Sequence, residues 1–264
     1  MPRFAANVSW LFTELPILER FHAAKTAGFA AVEAAFPYAH PSEELRQQLK
    51  LCGLDLILLN APAGNWDLGD RGVACLPDRE QEFQRSVETA LSYAKSLGVK
   101  RLHVMAGEPA QINRSVARET FLANLRLMAK PAADLGITLL LEAINPRDMP
   151  GYLIDHLGTA LELCLSSKAP NVKLLLDLYH IQIIHGDLAS NLRKYLPYCG
   201  HIQIAGVPDR GEPDRGEVNY SYLFDLIDDL GYDGWIGCEY KPRGKTSEGL
   251  RWLRQAENRS LGAL

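Results

Sequence analysis

Short runs of aliphatic residues alternate along this chain with longer stretches in which apolar positions recur about every 3.6 residues. The short runs read as strands at Phe4–Val8, Ala30–Ala35, Leu54–Asn60, Arg101–Met105, Ile137–Ala143, Val172–Leu178, His201–Ala205 and Gly234–Tyr240. Several, such as LDLILLN, ITLLLEA and VKLLLDL, are almost continuously aliphatic, the mark of strands buried on both faces in a parallel sheet covered by helices. The longer stretches read as helices over Pro16–Ala27, Ser42–Leu51, Arg79–Leu97, Arg118–Leu135, Thr159–Ser166, Leu188–Leu196, Tyr220–Leu230 and Glu248–Gln255. Pro16 suits a first helical position, where its missing N–H has no partner to lose. Gly28, Gly98, Gly136 and Gly231 each fall between a helix and a strand, where a left-handed C-terminal cap is expected.

Strand–helix alternation implies parallel strands joined by right-handed crossovers. Eight such units in 264 residues, about 33 residues each, fit an α/β fold of the closed (β/α)8 kind, a TIM barrel. No Pro/Ser linker or composition shift divides the chain, so residues 1–264 are expected to form a single domain. The connection Ala61–Pro77, with Gly64, Trp66, Gly69, Arg71 and Gly72, is too long for a simple turn. It follows a strand on the side where barrel active sites lie, and it reads as a lid.

Composition narrows the function. The chain is 47% hydrophobic and 23% charged, and 28 Lys plus Arg against 32 Asp plus Glu leave a net charge of −4. That excludes disorder and offers no basic footprint for nucleic acid or anionic lipid. Five cysteines without any CxxC spacing read as reduced thiols. The N-terminal segment has no apolar core before Glu14, so no signal peptide is expected, and no apolar run approaches the roughly 18 residues of a membrane span. A cytoplasmic protein is expected, with a tail that frays after Glu257.

Polar residues at the C-terminal ends of barrel strands are where chemistry is expected. Strands five to eight each carry one: Glu142 in LLLEA, Asp177 in LLLDL, Gln203 in HIQIAG and Glu239 in GWIGCEY. Each sits among aliphatic or small residues, where an unpaired carboxylate costs several kcal/mol or gives up its charge. A divalent cation would relieve both burial and mutual repulsion. Four oxygen donors with no thiol favour a hard ion, Mg²⁺ first and Mn²⁺ second. An ion chelated by a carbonyl and a neighbouring hydroxyl acidifies the C–H between them, and two carboxylates on opposite sides could then move the proton. Glu142 and Glu239, from the strands flanking the other two ligands, are the natural pair.

The segments RFAANVSWLFTE, NAPAGNWDLGDRG…LPDREQEF, DLYH, HIQIAGVPDRGEP and GWIGCEYKPRG resemble the hydroxypyruvate isomerase family, within the xylose-isomerase-like barrels. The resemblance implies a metal-dependent aldose–ketose isomerase, an intramolecular oxidoreductase interconverting hydroxypyruvate and 2-hydroxy-3-oxopropanoate (tartronate semialdehyde) through an enediolate. It also implies proton-transferring glutamates at Glu142 and Glu239 and metal ligands at Glu142, Asp177, Gln203 and Glu239. His180 falls where related sugar epimerases place a substrate-contacting histidine. A substrate carboxylate calls for a cation, with Arg210, Lys241 and Arg71 on strand-end or lid loops as candidates. His103, near the end of strand four, could line the pocket, whereas His201 lies a layer deeper and suits packing.

The same site would serve a 2-oxo-tetronate isomerase or a ketose 3-epimerase, and the barrel is shared with metal-dependent endonucleases and could serve as a non-catalytic binding barrel. The expected partner is a small hydroxy-oxo acid, with no nucleic acid and no membrane. A homo-oligomer is compatible with the chain.

Overall fold

The computed structural model describes residues 2–261, with side chains through residue 256. Eight parallel strands close into one barrel in sequence order, β1 against β8. They are β1 (Arg3–Asn7), β2 (Ala31–Ala34), β3 (Asp55–Asn60), β4 (Arg101–His103), β5 (Thr138–Glu142), β6 (Val172–Asp177), β7 (Cys199–Ile204) and β8 (Trp235–Cys238). Around them run α1 (Ile17–Thr26), α2 (Ser42–Cys52), α3 (Glu80–Leu97), α4 (Arg114–Asp134), α5 (Leu157–Ser167), α6 (Leu178–Ile184), α7 (Leu188–Tyr195), α8 (Tyr220–Asp229), α9 (Thr246–Gly249) and α10 (Arg251–Leu261). The expected (β/α)8 barrel is therefore the observed one. No helix among the described residues is long and apolar enough to cross a membrane, and the five cysteines carry free thiols.

All four inter-element glycines named above adopt positive φ, from 66° to 101°, so each ends its helix in the region that costs other residues a Cβ clash. Differences from the sequence expectation are local. α4 begins at Arg114, earlier than Arg118, because the Asn113 side chain accepts from Ser115 N at 2.8 Å and caps it. The expected last helix is split at Leu250 into α9 and α10. The α10 backbone stays helical to Leu261; the rest of the expected frayed tail, 262–264, lies outside the described residues. α6 had no counterpart in the sequence reading. It starts directly from β6 without a loop, because Asp177, the last strand residue, accepts from Tyr179 N at 2.9 Å and serves as its N-cap.

Alternation along the strands sorts side chains to two sides. Phe4, Ala6, Leu102, Leu139, Leu141, Leu174, Leu176, Ile202, Ile204, Ile236 and Cys238 join the large apolar cluster shared with the surrounding helices. Their neighbours face inward. One inward layer is apolar and small, with Ala5, Ala31 and Ile57 in one cluster and Leu58, Leu140 and Leu175 in another. The next layer toward the C-terminal rim is polar: Asn7, Glu33, His103, Glu142, Asp177 and Gln203, all buried.

At the opposite, N-terminal end of the strands a cavity of about 480 Å³ is lined by Arg101, Lys173 and Arg193 and by the ends of α7 and α8. Arg101 Nε donates to Gly200 O at 2.8 Å there.

Gly237 on β8 faces inward, and a Cβ at this position would run into the Glu33 carboxylate. Gly237→Ala should therefore destabilise the protein by about 1–3 kcal/mol, as overpacking of a filled interior does. A urea midpoint equal to wild type would show that Glu33 can give way.

Candidate active site

The polar layer gathers side chains from strands far apart in sequence. Asp177 and Gln203 are register partners on β6 and β7, Glu142 ends β5, and Glu239 directly follows β8. Glu142, Asp177 and His180 bring one ligand atom each to within 4.8 Å of one another. Gln203 Nε2 donates to Glu239 Oε2 at 2.8 Å, which ties the remaining two members of the expected ligand set together.

The single guanidinium that reaches this layer is that of Arg210 among the three cations expected there. Its Nη2 donates to Glu239 Oε1 at 2.7 Å and lies 3.4 Å from Asp177 Oδ2, while Nη1 lies 3.4 Å from Asp148. The group is held between the rings of Trp10 and Tyr179, 4.5 and 4.9 Å from their centroids. Arg71 instead lies 4.0 Å above the Trp66 ring and donates to Trp66 O and Asp70 O within its own loop. Lys241 is exposed, and its backbone N–H donates to Arg210 O at 2.7 Å. The loop expected as a lid is anchored at its base by Asp70–Arg79, with contacts of 2.5 and 2.7 Å. Its outer turn, Trp66–Leu68, is exposed.

Burial dominates the protonation of this layer. Burial, with Asp177 and Glu239 nearby, pushes Glu142 well above the usual carboxylate range. Burial lifts Asp177 to about 6 and Glu239 to about 8, although Arg210 opposes both shifts. Burial alone would lower Arg210, but Glu239, Asp177, Glu142 and Asp148 hold it above its ordinary value. The guanidinium thus offsets only part of the cost of the carboxylates, and a further cation would fit the set chemically.

His103 and His180 border Glu142 and Asp177, and burial disfavours the charged form of both. Burial lowers His103 to about 4; its Nε2 lies 3.5 Å from Glu142 and has no hydrogen-bond partner among the described residues. Burial and Arg210 hold His180 well below its ordinary value. Asn145 Oδ1 accepts from the backbone N–H groups of Arg147 and Asp148, which leaves its Nδ2 to donate to His180 Nδ1 at 2.6 Å. His180 therefore carries its proton on Nε2. That N–H lies 3.7 Å from Glu142 and 3.6 Å from Asp177, too far for a hydrogen bond to either. It is a donor held open to a third group.

The profile of the xylose isomerase-like TIM barrel family matches residues 21–256. The chain belongs to this family. Over 255 residues it is 51% identical to the 2-oxo-tetronate isomerase of Cupriavidus necator, covering 96% of this chain and 98% of that one. It is 42% identical over 254 residues to the hydroxypyruvate isomerase of Escherichia coli, with 96% and 98% covered. The crystal structure of an AP endonuclease, family 2, from Brucella melitensis matches with a TM-score of 0.95 at 48% identity, over 97% of this chain and 99% of that one. Like the relatives named for an isomerisation, this member of the xylose isomerase-like family is an isomerase.

Several residues of the site were not singled out from the sequence. Glu33 accepts from Asn7 Nδ2 at 3.1 Å and from Gln203 Nε2 at 2.8 Å, and it pairs with His201 Nε2. An acid in the middle of AVEAA, on the inward parity of a strand, was the available signal. Asn7 closes β1 in the same way. Trp10, Asn145, Asp148 and Tyr179 lie on loops or at a helix start, where nothing in the local pattern marks them.

The carboxylate shifts have a consequence for the metal-free protein. Unfolded carboxyls ionise near pH 4, whereas folded Glu239 does so at about 8. The stability present below the unfolded value is lost as pH rises through the folded one. From pH 7.5 to 8.5, above the ordinary histidine range near 6.5 so that His103 and His180 are mostly neutral in either state, unfolding free energy in the presence of chelator should fall. A rise over that window would mean that Glu239 ionises with its charge already compensated.

Proposed function

We propose that this chain is a metal-dependent isomerase of small 2-oxo acids bearing a neighbouring hydroxyl, interconverting hydroxypyruvate and 2-hydroxy-3-oxopropanoate. The observation that carries this reading is the placing of Glu142 and Glu239, both with raised proton affinity, in one polar layer that also holds Asp177 and Gln203. Glu142, Asp177, Gln203 and Glu239 would hold the ion, Mg²⁺ before Mn²⁺ because the donors are oxygens. Bound there, a divalent cation would acidify the C–H between the substrate's oxo and hydroxyl groups.

The remaining roles belong to the chain. One glutamate removes the proton from the hydroxyl-bearing carbon and the other delivers one to the former carbonyl carbon, with an enediolate between the two transfers in which the hydroxyl proton passes from the first carbon's oxygen to the former carbonyl oxygen. Burial raises the proton affinity of both glutamates, which makes each a stronger base than a free carboxylate when it accepts the proton. Arg210, fixed between two aromatic rings, is the cation for the substrate carboxylate. The Nε2–H of His180 donates to a substrate oxygen, and neutral His103 lines the pocket. The loop 61–77 limits access of water to the enediolate. Arg71 and Lys241 act, if at all, from the rim.

A second reading is favoured by the 51% identity to a 2-oxo-tetronate isomerase. Its substrate offers the same carboxylate, oxo and hydroxyl groups with one more carbon, so the pocket beyond the ion decides between the two. Side-by-side kcat/KM values for hydroxypyruvate, 2-oxo-tetronate and free ketoses discriminate these readings.

Glu142→Gln and Glu239→Gln should each lower turnover at least about 100-fold, the low end for removal of a general acid or base, while circular dichroism stays that of the wild type. Wild-type protein with Mg²⁺ or Mn²⁺ in heavy water should place deuterium in the product, whereas each variant, able at most to exchange the one carbon its remaining glutamate faces, should form product at least about 100-fold more slowly. Near-normal turnover in either variant removes that glutamate from its role.

A further inference from the structure

Glu33 lies beneath the proposed ion site and takes no part in the steps above. We infer that it is a positioning residue that sets which face of the Gln203 amide is offered to the cation. This rests on the proposed reading of the ion site.

Gln203 can bind a cation only through Oε1, yet an amide rotated by half a turn presents Nε2 instead and repels the ion. In the structure Nε2 is engaged twice, donating to Glu33 Oε2 and to Glu239 Oε2, both at 2.8 Å. Both partners are carboxylates, acceptors for its two protons, so the nitrogen is held between them. Oε1 accepts no hydrogen bond among the described residues and is left for the ion. Asn7 repeats the device: Nδ2 donates to Glu33 Oε2 at 3.1 Å and to Glu239 Oε2 at 3.0 Å, while Oδ1 accepts from Ser9 N at 3.1 Å.

Glu33 is itself held. Its side chain has no solvent exposure, its Oε1 pairs with His201 Nε2, and Gly237 leaves the space it fills. Among the described residues His201 Nδ1 is buried without a hydrogen-bond partner. A bare lone pair is cheaper to bury than an unpaired N–H, so the proton sits on Nε2 and is donated to Glu33. His201 thus anchors Glu33, Glu33 and Glu239 orient Gln203, and Gln203 faces the ion. Such outer contacts typically tune metal affinity by 10–100-fold.

The test is Mn²⁺ binding to substrate-free protein by calorimetry, with kcat and KM measured alongside. Glu33→Gln keeps the shape but adds a donor where Gln203 needs an acceptor. Its Mn²⁺ Kd should rise about 10–100-fold, and added Mn²⁺ should recover much of the lost kcat. His201→Gln, which loosens Glu33 without touching Gln203, should raise Kd in the same direction by less. It carries the test alone if the first variant does not fold. Affinity within threefold of wild type in either folded variant overturns the inference and leaves the ion site standing. Failure of wild type to take up Mn²⁺ overturns both.

Discussion

Four carboxyl groups, Glu33, Glu142, Asp177 and Glu239, share one end of a barrel with little access to bulk water. Removing an ion from water costs several kcal/mol even after relaxation, and like charges at short range add to that. Everything at the rim answers this demand. Arg210 supplies one positive charge, the amides of Asn7 and Gln203 supply four N–H donors, and His201 supplies a fifth. Glu142, Asp177 and Glu239 nevertheless remain harder to ionise than free carboxyls, with burial as the leading cause. The site is therefore built short of positive charge, which is the condition under which a divalent ion or an acid–base role becomes favourable.

The layers beneath and around keep this arrangement in place. Outward residues of each strand are locked into the apolar cluster under the helices, so strands cannot slip by one residue without turning acids toward that cluster. The small apolar layer below the acids closes the barrel against water from the other end. The polar layer thus cannot relax by sinking or twisting, and its side chains keep orientations that free carboxylates would abandon. This is preorganisation in the sense that matters for catalysis: the cost is met during folding and not during reaction.

Membership of the xylose isomerase-like family settles the scaffold, and the relatives named for an isomerisation give the broad class of reaction; in the proposed reading the choice of substrate falls to residues on the loops around the acids. Arg210 is the clearest example. It is fixed by Trp10 from the first loop, Tyr179 at the start of α6 and acids from two strands. Its guanidinium bridges Asp177 and Glu239, so a cation bound by these acids would compete with Arg210 for them, and an anionic ligand would compete with the acids for Arg210. The neutral Nε2–H donor of His180, set by Asn145, adds a direction to that competition.

The order of strands and helices, the barrel and the four strand-end donors were legible in the sequence, because a closed parallel barrel writes its two periodicities and its capping glycines locally. Glu142, Asp177, Gln203 and Glu239 could be singled out since each interrupts an apolar run at the end of a strand. Whether Arg210, Arg71 or Lys241 would reach the acids was not legible, because each lies on a loop whose path depends on contacts with other loops. The same holds for α6, whose N-cap is the last residue of a strand, and for Trp10 and Asn145. Glu33 shows the boundary best. Its inward parity is a property of the strand, but its partners lie 26, 168 and 170 residues away. Pairing of β1 with β2 supplies the first, but only closure of the barrel brings His201 and Gln203 of β7 within hydrogen-bonding distance.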